Sequence, residues 1–66
     1  MQQAIKKGTT VRLINMDDPQ APPSGTLGTV IHVDDAGQIH VSWESGGSLA
    51  LLPEIDRFEV VNTPST

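Results

Sequence analysis

Residues 25–43, GTLGTVIHVDDAGQIHVSW, decide how the chain folds. Two apolar runs alternate with polar residues on either side of Asp34-Asp35-Ala36-Gly37, the pattern of two strands joined by a tight turn. Gly37 suits the left-handed position that closes a three-residue hairpin loop, a conformation glycine adopts without the steric cost of a Cβ. That loop pairs Val33 with Ile39 and Ile31 with Val41. Because side chains alternate across a strand, Ile31, Val33, Ile39, Val41 and Trp43 then share the core face, and His32 and His40 sit opposite each other on the solvent face. A four-residue loop would slip the register by one and turn His32 inward with Val30. The three-residue loop is the expected one, since it uses Gly37 and keeps both imidazoles in water.

Outward from this hairpin the chain reads as all-β. Thr9 to Met16 forms a first strand, with Val11 and Leu13 alternating against Thr10 and Arg12. The loop DDPQAPPSGTL follows, and its three prolines keep it extended and out of any sheet interior. After the hairpin strands GTVIHV and QIHVSW come an ESGG turn, a strand SLALL, a helical turn opened by Pro53 in PEID, and a last strand FEVVN. Five short strands, a long loop after the first and a helical turn before the last make the order of a small Src-homology-3-like barrel. The expected organisation is an N-terminal extension over 1–8, the barrel over 9–62 and a disordered tail over 63–66. Gly28, Gly37 and Trp43 are read as structural positions.

Size and charge bound what such a domain does. A chain of 66 residues forms one domain that buries only about 60% of the surface its unfolded form exposes. With no cysteine to staple it, oligomerisation is a natural source of extra stability. The absence of cysteine also fits a reducing cytosol. No apolar run has the length of a signal peptide or a membrane span, so a soluble, cytoplasmic protein is expected. The net charge is −4, and Lys6, Lys7, Arg12 and Arg57 are the only strong cations. Binding a phosphate backbone needs a cluster of such residues, and direct nucleic-acid binding is therefore not expected.

Each residue type that could carry chemistry has a plainer reading. His32 and His40 with Asp34 or Asp35 could ligate a metal, yet metal sites need three or four ligands in fixed geometry, and aspartates at turns are turn formers. Ser24, Ser42, Ser45 and Ser48 lack a base and an orienting partner. Asp17-Asp18 and Asp34-Asp35 sit on solvated loops rather than as acid and base pairs. Gly46-Gly47 has neither the lysine nor the helix of a phosphate loop and reads as a hairpin turn. Trp43 and Phe58 are the only aromatic rings among Phe, Trp and Tyr, too few for a proline-peptide groove or a methyl-lysine cage. Pro19, Pro22 and Pro23 form a P-x-x-P stretch that could dock in a partner's groove, but more simply stiffens its loop. No enzymatic activity, cofactor or metal is expected.

The segments GTTVRLINM, GTLGTVIHVDDAGQIHVSWESGGSLALLPEID and FEVV carry further pattern: an early Val-x-Leu strand, a proline-containing Asp loop, G-T-x-G-T-V, the hairpin V-D-x-x-G-x-I-H-V-x-W and a terminal D-x-F. In these the chain resembles, over residues 8–61, a family of short bacterial and phage proteins known as domain of unknown function 4314. The resemblance implies a fold and a bacterial or mobile-element setting, and brings no catalytic residues with it. More loosely, Gly28-Thr29-Val30 and the hairpin beyond are similar to the KOW motif of transcription and ribosome-associated barrels. Those touch RNA through a basic loop, where this chain has Asp34 and Asp35. The functional expectation is a non-catalytic binding module, meeting a protein partner or itself through a sheet edge or the face of Thr10, Arg12, His32 and His40. The alternative is a phage or plasmid effector that sequesters a small anion at Arg12 and Arg57, or imitates a nucleic acid.

Overall fold

A computed structural model describes residues 5–62. The first four residues of the expected extension and the expected tail over 63–66 lie outside the described residues. Among the described residues four strands form: β1 (Thr10–Asn15), β2 (Leu27–Val33), β3 (Ile39–Trp43) and β4 (Arg57–Asn62). They make one antiparallel sheet in the order β3-β2-β1-β4. Among the described residues, no helix is long and apolar enough to cross a membrane.

The hairpin tip is as the sequence requires. Gly37 sits at φ 87°, and its N–H donates to the Asp34 carbonyl at 3.0 Å. The Asp34 N–H donates to the Gln38 carbonyl at 3.1 Å, which leaves Asp35, Ala36 and Gly37 as the loop. Val33 faces Ile39 and His32 faces His40. A Cβ at Gly37 would meet nothing within 4 Å, so Gly37→Ala tests the backbone alone. It is expected to cost about 1 kcal/mol in urea unfolding, with Gly37→Asn nearer to wild type because asparagine tolerates this region.

Beyond His32 the register departs from simple alternation. A shift between Val30 and His32 makes Val30 face Val41, Thr29 face Ser42 and Gly28 face Trp43. Ile31 is thus the extra residue of a β-bulge, which reverses the facing of everything before it. The expectation of Ile31 and Val33 in the core is corrected: Ile31 is 45% exposed, Val33 lies on the rim at 36%, and Val30 is buried instead. The reason lies under the indole. Unbroken alternation would set Thr29 against Trp43, whereas the bulge sets Gly28 there. A Cβ at Gly28 would stand 2.7 Å from Trp43 Cε3 and 2.4 Å from Val41 Cγ1, so only glycine leaves room for the ring.

The core consists of Val11, Leu13, Val30, Ile39, Val41, Trp43 and Leu51, with Ile5, Met16, Leu49, Phe58 and Val60 packed against it. Ile5 therefore belongs to the domain rather than to an extension, and the Gly8 N–H ties its segment to the Val30 carbonyl at 2.7 Å.

One further expectation is corrected. SLALL is not a fifth strand; only Leu51 pairs, in an isolated bridge with Ile39. Gly46 and Gly47 both hold positive φ and turn the chain away from β3, and the Leu49 carbonyl is taken by the Trp43 Nε1–H at 2.9 Å instead of by a neighbouring strand. PEID forms a single turn, in which the N–H groups of Ile55 and Asp56 donate to the Leu52 carbonyl and the Leu52 N–H donates to Asp56 Oδ2. A lone turn spends backbone entropy on few hydrogen bonds, and β4 pairing takes over at Arg57.

Candidate functional site

The β2–β3 tip gathers several polar side-chain contacts on one residue, Asp34. Asp34 Oδ1 accepts the N–H of Ala36 at 3.0 Å and of Gln38 at 2.9 Å, while Oδ2 lies 3.0 Å from His40 Nε2. The His32 and His40 rings lie 5.5 Å apart, tilted by 40°. His32 is exposed and His40 half-buried. Asp34 is thus more than a turn former, since one oxygen fixes the loop and the other holds His40. That second role was legible: Asp34 faces Gln38, so His40 is its diagonal neighbour on the same face of the hairpin. Among the described residues, no three His, Asp or Glu side chains are arranged to hold a metal ion.

The His40 hydrogen bond, helped by the N–H groups of Gln38 and Ala36, holds the Asp34 carboxyl below its ordinary value of 3.8. A carboxylate with a lower pKa in the folded than in the unfolded state contributes stability that is complete above the unfolded value and is lost as pH falls through the folded one. The melting temperature of wild type is therefore expected to fall more steeply than that of Asp34→Asn as pH drops below 3.8; parallel curves would remove Asp34 from the account.

The four residues expected to form a partner face divide into two groups. His32 and His40 sit at the hairpin tip, while Thr10 and Arg12 lie on β1. Arg12 Nη1 is 2.5 Å from Glu59 Oε2 across the β1–β4 pair, a partner the sequence reading missed. The cue was there in two strands that each alternate a charge between apolar residues. Thr10 lies instead in a polar row, Ser42, Thr29, Thr10 and Asn62, that crosses all four strands.

The three prolines differ in their surroundings. Pro19 and Pro23 are exposed. The Pro23 carbonyl accepts from the Thr26 N–H and hydroxyl, and the adjacent Ser24 hydroxyl donates to the Ile14 carbonyl. Pro22 alone borders a cleft of about 280 Å³, shared with Gln20, Trp43 and the Gly46–Leu49 segment.

A larger apolar groove of about 640 Å³ was not anticipated from the sequence. Val33 and Ile39 contribute from the hairpin, Phe58 and Val60 from β4, and Ile5 and Pro53 from the connecting segments. Since β3 and β4 are the two edges of the sheet, the groove reaches across the sheet's inner face from one edge toward the other.

Among the described residues, the edge of β4 along this groove is open. The Leu13 N–H donates to Thr26 and its carbonyl accepts from Gly25, so Leu13 directs its backbone toward β2. Antiparallel alternation then directs Arg12 toward β4, where it faces Glu59. Glu59 accordingly points its backbone inward to β1, and Phe58 and Val60 point theirs outward. Among the described residues β4 pairs with β1 alone.

The model of a family described as a domain of unknown function, DUF4314, matches residues 1–61. No curated protein matches the chain, and no solved structure matches it.

Proposed function

Because the chain belongs to the DUF4314 family, whose description assigns no activity, we propose from its own surfaces that it is a non-catalytic binding and assembly module, working through protein–protein contact or self-association. One observation carries this reading: the open edge of β4 coincides with the apolar groove. Phe58 and Val60 offer backbone donors and acceptors on the open side while their side chains line the groove. An extended segment laid along β4 gains main-chain hydrogen bonds from the edge and selectivity from the groove, which is how sheet edges capture strands.

The groove that both sheet edges help to line and the Ile39–Leu51 bridge support reading the domain as a Src-homology-3-like barrel left open on one side, with Leu51 a rudiment of its fifth strand. The setting we attach to it is the cytoplasm of a bacterium, its phage or another mobile element. Anion capture through Arg12 and Arg57 is the weaker reading, since Glu59 already occupies the Arg12 guanidinium.

The test is a photo-crosslinking residue placed at Pro53, in the groove lining, or at Ser42, on the opposite face, in cells that make the protein. Protein adducts are expected several-fold more often from position 53. Equal yields from the two positions would overturn the binding-module reading.

A further inference from the structure

The open edge of β4 leaves a choice of occupant, and the sequence of the strand itself narrows it. Asp56-Arg57-Phe58-Glu59-Val60-Val61 carries opposite charges two residues apart on one face. When an antiparallel strand pairs with its own copy about a two-fold axis, residues of the same backbone direction face each other, so each permitted register centres on a single residue.

Centred on Glu59, the two Glu59 carboxylates would meet at the closer, non-hydrogen-bonded spacing, which is repulsive. Centred on Arg57, two guanidinium groups would meet in the same way. Centred on Val60, Glu59 would face an apolar Val61 and gain no countercharge. Centred on Phe58, Arg57 faces Glu59 of the second copy and Glu59 faces its Arg57. Both attractions occur at the closer spacing, where cross-strand pairs interact most strongly.

Two independent features agree with the Phe58 centre. Phe58 directs its N–H and C=O outward, so the two copies can exchange both hydrogen bonds at the axis. Glu59 binds Arg12 through Oε2, which leaves Oε1 for the second copy's arginine.

We propose that the protein forms a two-fold dimer by antiparallel pairing of β4 with β4 of a second copy, centred on Phe58, so that two four-stranded sheets become one of eight strands. The inference rests on the binding-module reading and names the occupant of its edge. The side chains of Phe58 and Val60 on the inner face join the two grooves into one apolar floor.

The chain has no cysteine, so engineered thiols report the register directly. Non-hydrogen-bonded partners stand about 4.5 Å apart at Cα, within the span of a disulfide. An equimolar mixture of Arg57→Cys and Glu59→Cys, under mild oxidation, is expected to give a 57–59 cross-linked dimer at least about tenfold faster than either variant alone. Equal or faster linking of Glu59→Cys by itself would overturn the Phe58 centre. Sedimentation equilibrium of the unaltered chain supplies the second arm. It is expected to show a monomer–dimer equilibrium, weakened about tenfold by Arg57→Glu because two attractions become repulsions. A strict monomer at millimolar concentration would overturn self-pairing. The 53-against-42 cross-linking contrast would then still hold if the edge takes a different protein, and would vanish if the binding-module reading is itself at fault.

Discussion

Trp43→Ala removes about 3–5 kcal/mol, the range for emptying a buried aromatic site, from a domain of 66 residues whose whole stability is about 3–10 kcal/mol on a per-residue basis. The expected result is a largely unfolded chain, read by far-ultraviolet circular dichroism because the variant has lost its only indole. The ring is 4% exposed and packs against the face of Gly28. Its Nε1–H also holds the Leu49 carbonyl, so losing it frees the segment that carries Leu51 into the core. Trp43→Phe separates these contributions. It keeps much of the apolar area and loses the hydrogen bond, and is expected to cost about 1–3 kcal/mol. A folded Trp43→Ala with near wild-type urea midpoint would contradict the packing described here.

Gly28→Ala acts on the other side of the same contact. The added methyl would fall 2.4 Å from Val41 Cγ1 and 2.7 Å from Trp43 Cε3. Both neighbours are buried ring or branched carbons with no free end to swing aside. Overpacking of this kind costs about 3 kcal/mol at the upper end of its usual range. Trp43 fluorescence during urea unfolding gives the measurement. Thr29→Ala, one residue along on the solvent face, is the control, with an expected change within about 0.5 kcal/mol. Similar midpoints for the two variants would show that the bulge does not set Gly28 under the indole.

What the sequence displayed was local geometry. Gly37, its loop and the His32–His40 pairing follow from turn chemistry confined to five or six residues. The alternation of Val11 and Leu13 is equally local. The bulge at Ile31 was hidden because GTVIHV reads as a single apolar run, and either Val30 or Ile31 satisfies it. Only the bulk of Trp43, ten or more residues on, chooses between them. The missing fifth strand has a similar cause, since SLALL has strand composition and loses its pairing to an indole hydrogen bond that period-two patterning does not encode. The histidine face could be read from the hairpin by itself. The groove could not, because it is assembled from β2, β3, β4 and Ile5, which come together only in the folded sheet.

The central position of β1, between β2 and β4, has a consequence for how the protein comes into being. Arg12 and Glu59 stand 47 residues apart in sequence, so the partner of an early strand is made long after it. The β2–β3 hairpin, closed by its three-residue loop, can form before β4 has joined, and the slow step left is closure of that long loop. A stalled nascent chain ending before Arg57 would carry β1 with one flank bare, ready to pair with whatever strand comes first.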